Sequence, residues 1–319
     1  MRTRTARLNV AVAAAMLVSA SADLGARDRA EVSVPAAPVA HGEAIFAANT
    51  GLAGGGFAPK VSVTGGEIKD GSVPAYATRV AGPAIYDGYE IAGPHLLIEN
   101  VAITSPLDIS TKMPVVLRGA SVRVAGGQPW TILVRPGAGP LYVLWSDLGG
   151  SNDGGKPPAS ALDLRSGGAV VHRSHVSGTA DGISVSGGDV RITETLIDGL
   201  AAFSGSHNDA IQLAATAANV TVTRSNILNR FPQTSCLYLM GRDVTLASNY
   251  VAGGGWTIYG GDKNNGKGGE GARGVSVKDT IFGRDYFAKS GGFGPVTYWN
   301  AANAWGGNRY DDGAAVDPH

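Results

Sequence analysis

Apolar residues recur along this chain in short alternating runs about every two dozen residues. Ala169–Gly188 reads AVVHRSHVSG, then TADGISVSGG; Asp189–Ala215 reads DVRITETLIDG, then SHNDAIQLAA. Asn219–Gly241 and Asp243–Gly261 repeat the scheme as NVTVTRSNILN with TSCLYLMG, and DVTLASNYVAG with GGWTIYGG. Each copy reads as one short strand, a turn, a variable loop and a second strand. The period is two and not 3.6, which excludes helices from the body. No copy can bury its apolar residues alone, so the copies must stack. The pattern predicts an all-β solenoid, a parallel β-helix of about eight to nine coils.

The first strands align on Ile98, Leu117, Val143, Val171, Ile192, Val222, Leu246 and Val277. A second apolar column stands five residues later at Ile103, Val122, Leu148, Val176, Ile197, Ile227, Val251 and Phe282. Second strands align on Ile132, Leu162, Ile183, Ile211, Leu237 and Ile258, with an additional coil expected within Val61–Ile91. One residue after each of these aliphatics stands an outward column: Leu133, Asp163, Ser184, Gln212, Tyr238 and Tyr259. Coils lie about 4.8 Å apart, so members of a column touch. An extended ligand would lie along that wall. Beside it fall polar, glycine-rich insertions, Gly149–Pro158, Ala201–Asn208, Asn229–Thr234 and Gly260–Gly271, where a solenoid carries its binding loops.

The ends differ from the body. Arg2, Arg4 and Arg7 precede an apolar run over Leu8–Ala20 and an Ala-x-Ala pattern at Ala20–Ala22. This layout predicts an export signal over 1–22, since the run falls short of the about 20 residues that span a bilayer. Residues 23–50 read as a linker, 51–285 as the β-helix, and 286–319 as a capping segment. In that segment Phe287, Phe293, Tyr298, Trp299, Trp305 and Tyr310 are expected to cover the last coil in preference to forming a sugar platform. A secreted, periplasmic or extracellular monomer with no membrane span after processing is expected.

Composition removes some options. Net charge is zero and the basic residues form no patch, which argues against a nucleic-acid partner. The 47 glycines have no collagen period and fall where coils turn. The single cysteine, Cys236, excludes an intrachain disulfide and reads as a structural thiol within a strand.

Two copies carry candidate chemistry. Asp181 in TADGIS and Asp209 in SHNDAIQ begin second strands one coil apart, which places their carboxylates within about 5 Å. Such a pair must share a proton, recruit a cation or bind a metal. A shared proton supplies a general acid, and Ca²⁺ held by Asp181 and Asp209 would neutralise a substrate uronate. His207, two residues before Asp209, is a candidate proton carrier. Lys263 can approach from the Gly260–Gly271 loop, and Lys156 from the other side, beside Asp163. Asp163, Gln212, Tyr238 and Tyr259 are the candidate substrate-binding residues. The competing reading is that each Asp bonds the turn before its strand, because both share the parity of inward Ile183 and Ile211. A further cluster, Arg118, Asp147, His172, Arg173, His175, Glu194 and Arg224, reads mainly as surface salt bridges, with Trp145, Arg173, Glu194 and Arg224 in one column.

At these residues the chain resembles the pectin-degrading β-helix enzymes. TADG, NDAI and SNILN resemble the polygalacturonase order NTDG, GDDCI and a later GHG, over roughly Ala169–Gly241. Asp181 matches the Asp of NTD and Asp209 the second Asp of DD; Asn208 stands at the first, TSCLYLMG replaces GHG, and no RIK-like triplet appears later. The chain is also similar to secreted bacterial β-helix proteins with an H-x-D-x-I-Q motif (His207–Gln212) and an FGRDYF, GPVT and GN-x-x-DD ending (Phe282–Phe287, Gly294–Thr297, Gly307–Asp312). The resemblance to the pectate-lyase-like superfamily implies a right-handed coil and a polysaccharide substrate. The expected function is cleavage of an acidic polysaccharide by β-elimination, with His207, Lys263 or Tyr238 as base; the alternatives are glycoside hydrolysis through Asp181 and Asp209, or glycan attachment without catalysis.

Overall fold

The computed structural model describes residues 61–318 apart from Asn152; the expected export signal and linker, 1–22 and 23–50, lie outside the described residues. Three long sheets run through the described chain, and each complete coil contributes one strand to each. The first contains Val101–Ile103, His175–Ser177 and Asn226–Asn229; the second contains Leu107–Ile109, Asp181–Val185 and Ser235–Leu239; the third contains His95–Glu99, Ala169–His172 and Ala218–Thr223. Pairing between successive coils is parallel throughout. Parallel crossovers of this kind are right-handed, and the fold is the right-handed parallel β-helix expected. Its only helical segment among the described residues is a 3₁₀ turn at Asp262–Asn264.

The two-strand repeat expected from the sequence is corrected to three. The stretch that reads as one first strand is two, divided by a single residue in the left-handed backbone region. Trp145, Arg173, Glu194 and Arg224 hold this position in successive coils, with φ between 46° and 50°. Asn100, Ser248 and Asp279 hold it in others, and Gly119 and Gly307 complete the series. A left-handed residue other than glycine costs roughly 1–2 kcal/mol. The neighbouring residue on its C-terminal side offsets that cost. In seven of these nine corners it is small, polar and buried, Ser146, Ser174, Thr195, Ser225, Asn249, Thr280 or Asn308, while Val101 and Ala120 follow Asn100 and Gly119. These side chains capture backbone N–H groups across coils: Ser174 Oγ accepts from Ser146 (3.1 Å), Asn249 Oδ1 from Ser225 (3.0 Å) and Asn308 Oδ1 from Thr280 (3.0 Å). The aliphatics flanking the corner are buried in one continuous core, and each contributes roughly 1.5–3 kcal/mol.

The ends depart from regular coils. Val61–Val63 and Glu67–Ile68 extend the first and second sheets, so part of a coil exists within 61–91. Thr78–Val80 then meets the third sheet antiparallel, and Ala84–Tyr86 pairs with Tyr89–Ile91 in a hairpin. At the other end the expected boundary at 285 does not stop the sheets, which continue through Gly294–Thr297, Ala304–Gly306 and Arg309–Tyr310. Trp299 and Trp305 pack edge to face at 5.1 Å over the core and act as a cap. Phe293 (60% exposed) and Tyr298 (46% exposed) do not. They turn toward the second sheet instead.

Candidate functional site

The outward column of the second sheet is where the sequence places it from Asp163 onward, whereas Leu133, expected at its head, is fully buried. Asp163 pairs in register with Ser184, Ser184 with Gln212, Gln212 with Tyr238, and Tyr238 with Tyr259. Strand alternation drives Ile183, Ile211, Leu237 and Ile258 into the core and leaves the intervening residues half-buried outside. The rings of Tyr238 and Tyr259 lie 5.8 Å apart, and Tyr298 continues the row 5.9 Å beyond. Trp256 and Phe293 form a neighbouring pair at 6.2 Å. Tyr298 and Phe293 belong to this wall, whereas the sequence assigned them to the cap; their late position in the chain concealed that the last coil also supplies a second-sheet strand.

The wall is rich in unspent polar groups. Among the described residues, no hydrogen bond engages the side chains of Ser184, Gln212, Tyr238, Tyr259 or Tyr298. Burial raises the Tyr259 phenol above its ordinary titration range, with Tyr298, Asp209 and Tyr238 adding to the effect, so it is a neutral donor at physiological pH. Asp163 is different. Its carboxylate is ion-paired with Arg165 at 2.6 Å, and the Arg165 guanidinium lies 5.6 Å from the centre of the Trp130 ring. Lys156, expected beside Asp163, instead sits 4.1 Å over the Phe203 ring and ties two insertion loops together.

The two aspartates are adjacent, as their repeat positions require. Asp181 Oδ1 accepts the backbone N–H of Asp209 at 2.9 Å. Asp209 Oδ1 in turn accepts the Ser235 N–H and the Thr234 hydroxyl, both at 2.9 Å, and the Ser235 hydroxyl. Each carboxyl therefore pins the start of the next coil's second-sheet strand. Asp209 is 2% exposed, while Asp181 is half-buried at the surface. Burial raises the Asp209 carboxyl to about 6 despite the donors from Ser235 and Thr234 and the nearby charge of His207. Burial and then the Asp209 carboxylate push Asp181 well above the carboxylate range. The Asp181 carboxyl is thus turned toward the next coil, and its proton is held more tightly than an ordinary aspartate's.

His207 is exposed, two residues before Asp209, and no hydrogen bond engages its imidazole among the described residues. Lys263 is exposed at a left-handed position of the 3₁₀ turn and makes no ion pair with either aspartate. The fold thus brings Asp181, Asp209, His207, Gln212, Tyr238 and Tyr259 to one face and leaves Lys263 outside their contacts. Calcium does not fit the pair. It takes six to eight oxygens, whereas both Oδ1 atoms here are occupied by donors, and no group of three or more acidic, His or Cys side chains converges among the described residues. Cys236 is buried and donates from Sγ to the Ile227 carbonyl at 3.2 Å, with burial pushing its thiol far up, as befits a structural thiol.

The second charged cluster divides in two. Arg173 and Arg224 flank Glu194 at 2.6 and 2.8 Å, with Arg173 stacked 4.9 Å from the Trp145 ring centre, which is the surface ladder expected. His175, by contrast, bridges Asp147 (3.1 Å) and Asp198 (2.7 Å) on the first sheet. Sequence reasoning passed over Asp198 and Arg123, the residues that complete this second group.

No protein-family model matches the chain, and no curated protein matches it. Among solved structures, the Dettilon tailspike protein is similar at 12% identity over 59% of this chain, with a TM-score of 0.34. The match takes in 41% of the tailspike chain, so the present chain spans less than half the length of the protein it resembles.

Proposed function

We propose that this protein binds an extended polysaccharide along the outward wall of its second sheet. One observation carries the reading: five polar side chains in register or next to it, Ser184, Gln212, Tyr238, Tyr259 and Tyr298, have no hydrogen-bond partner among the described residues. Tyrosines supply apolar area and a hydroxyl together, the combination a sugar face and its hydroxyls require. A row repeating once per coil suits a repeating polymer better than a single small molecule.

Cleavage of the bound chain is a second reading, favoured by the raised Asp181 carboxyl at the wall's edge. A carboxyl whose proton is held above the ordinary carboxylate range is suited to general-acid work. Asp181 would protonate the leaving glycosidic oxygen while water adds to the anomeric carbon and gives up a proton, which restores the acid. The β-elimination favoured by the sequence calls for a cation on the uronate beside the base; Lys156 is committed to Phe203, and neither Lys156 nor Lys263 pairs with the aspartates. Acid catalysis is the form of cleavage that the raised Asp181 carboxyl favours.

The test is to present acidic and neutral polysaccharides to the purified chain, with and without Ca²⁺. Affinity, reducing ends and unsaturated-uronate absorbance would be followed together. Tyr238→Ala and Tyr259→Ala are expected to weaken binding at least tenfold each. Asp181→Asn is expected to abolish reducing-end release while leaving affinity intact. Unchanged affinity in both tyrosine variants would sink the binding reading, and unsaturated product would restore elimination.

A further inference from the structure

A second constellation lies on the first sheet. Four successive coils meet an open hollow of about 720 Å³ at the ends of their first-sheet strands, where Ser151, Ser177, Asp198 and Arg230 stand at or just beyond those ends. The volume is within the roughly 300–1,000 Å³ usual for ligand sites. Its wall is a chain of alternating charges. Arg123 pairs with Asp147 through Nε at 2.7 Å and through Nη2, Asp147 bonds His175, and His175 bonds Asp198. Arg123 Nη1 also reaches past the neighbouring coil to the Ser177 hydroxyl at 2.9 Å and its carbonyl at 3.2 Å. Gly149 makes that reach possible. Its φ is 144°, and a Cβ there would lie 1.6 Å from the Ser177 carbonyl oxygen and 3.0 Å from Arg123 Nη1.

Burial disfavours the His175 cation, yet its bonds to Asp147 and Asp198 lift the imidazole to about 9. Burial likewise opposes charge on Asp147, but His175 and Arg123 hold its carboxyl at about 2. Three cations, Arg123, His175 and Arg230, thus face two carboxylates. The carboxylates and the first two cations are mutually satisfied. Arg230 is not: it forms no ion pair among the described residues, and its Nε is buried without a hydrogen-bond partner. Its guanidinium carbon lies 5.0 Å from the centre of the Phe231 ring, which leaves the fork available. A buried donor without a partner costs about 1–3 kcal/mol, and a planar oxyanion is the partner that a guanidinium fork matches.

We propose that this hollow binds the carboxylate of a uronic acid, with Arg230 as its counter-ion and the Arg123–Asp147–His175–Asp198 chain as the rigid floor. The choice of a sugar rests on the glycan reading above; the oxyanion does not. It is a subsite separate from the second-sheet wall, and its ligand class is an acidic monosaccharide unit or chain end.

The experiment titrates the purified chain with sodium galacturonate, sodium sulfate and glucose, and follows the histidine ring resonances by NMR, assigned with His175→Gln. Galacturonate is expected to shift the His175 signals saturably, and glucose to leave them unmoved. Arg230→Gln is expected to weaken that binding at least tenfold with an unchanged melting temperature, since Arg230 holds no ion pair. Arg230→Lys should recover only part of it, because the fork is lost. A linear response to galacturonate, or equal affinity in Arg230→Gln, overturns the proposal, as does saturation by sulfate alone. Tyr259→Ala is expected to leave the His175 shift intact. If polymer binding survives that variant while the shift persists, the wall reading fails and this one stands.

Discussion

With three donors on one oxygen and solvent nearly excluded, Asp209 is anchored as an acceptor but poorly placed to carry charge. An unfolded-chain aspartate titrates near 3.9, and Asp209 in the fold at about 6. The folded state therefore holds this proton more tightly. Its contribution to stability is complete below about pH 4, is lost as pH rises to about 6, and is level above. Asp209→Asn keeps an acceptor for Ser235 and Thr234 and removes the titration. Thermal melts between pH 3 and 8 are expected to show a shallower decline over that interval in the variant, and superimposable slopes would mean that Asp209 is already ionised in the folded protein. Sequence could locate this pair, since the strand repeat dictates that Asp181 and Asp209 are neighbours. It could not decide whether their oxygens point at solvent or at the next turn. That depends on the bend before each strand, which the Ala201–Asn208 loop sets through contacts no local pattern encodes.

At the level of the strand and its corner, the series from Ser146 to Asn308 stabilises the stack in the direction of its axis. Asn249 is 2% exposed, accepts from Ser225 and donates to the Val222 carbonyl at 2.8 Å. Asn249→Ala strands both groups, at about 1–3 kcal/mol each. An unfolding free energy lowered by that amount, seen as a lower denaturant midpoint with the slope unchanged, is the expected result; a midpoint within error of the parent would mean that the buried polar column contributes little. The corner itself was detectable from the sequence. Ile98 and Ile103, like Val222 and Ile227, are five apart, and an odd interval cannot place two side chains on one face of one strand. The charges at Arg173, Glu194 and Arg224 drew attention to their pairing and away from the backbone position they occupy.

Across the whole molecule, the outward column was the most legible functional feature, because strand parity and coil stacking together determine it without reference to loops. The first-sheet hollow was the least. Arg123, His175, Asp198 and Arg230 are scattered over more than a hundred positions and meet only because successive coils stack their first-sheet strands side by side. Both proposed subsites are assembled by repetition, each coil lending one or two side chains.

The one-residue corner between third- and first-sheet strands also governs where this chain can grow. Loops at the other two corners vary freely in length, whereas this one admits no slack. Adding a glycine between Arg224 and Ser225 would rotate Ile227 out of the interior and unseat Ser225. The same addition among Ala201–Gly205 would bulge harmlessly into solvent. Soluble yield and melting temperature of the two insertion variants should diverge sharply, and equal behaviour would refute the idea. Such a scaffold separates a fixed tempo from free ornament: new specificities can be written into its loops while the spacing of the wall beneath them stays constant.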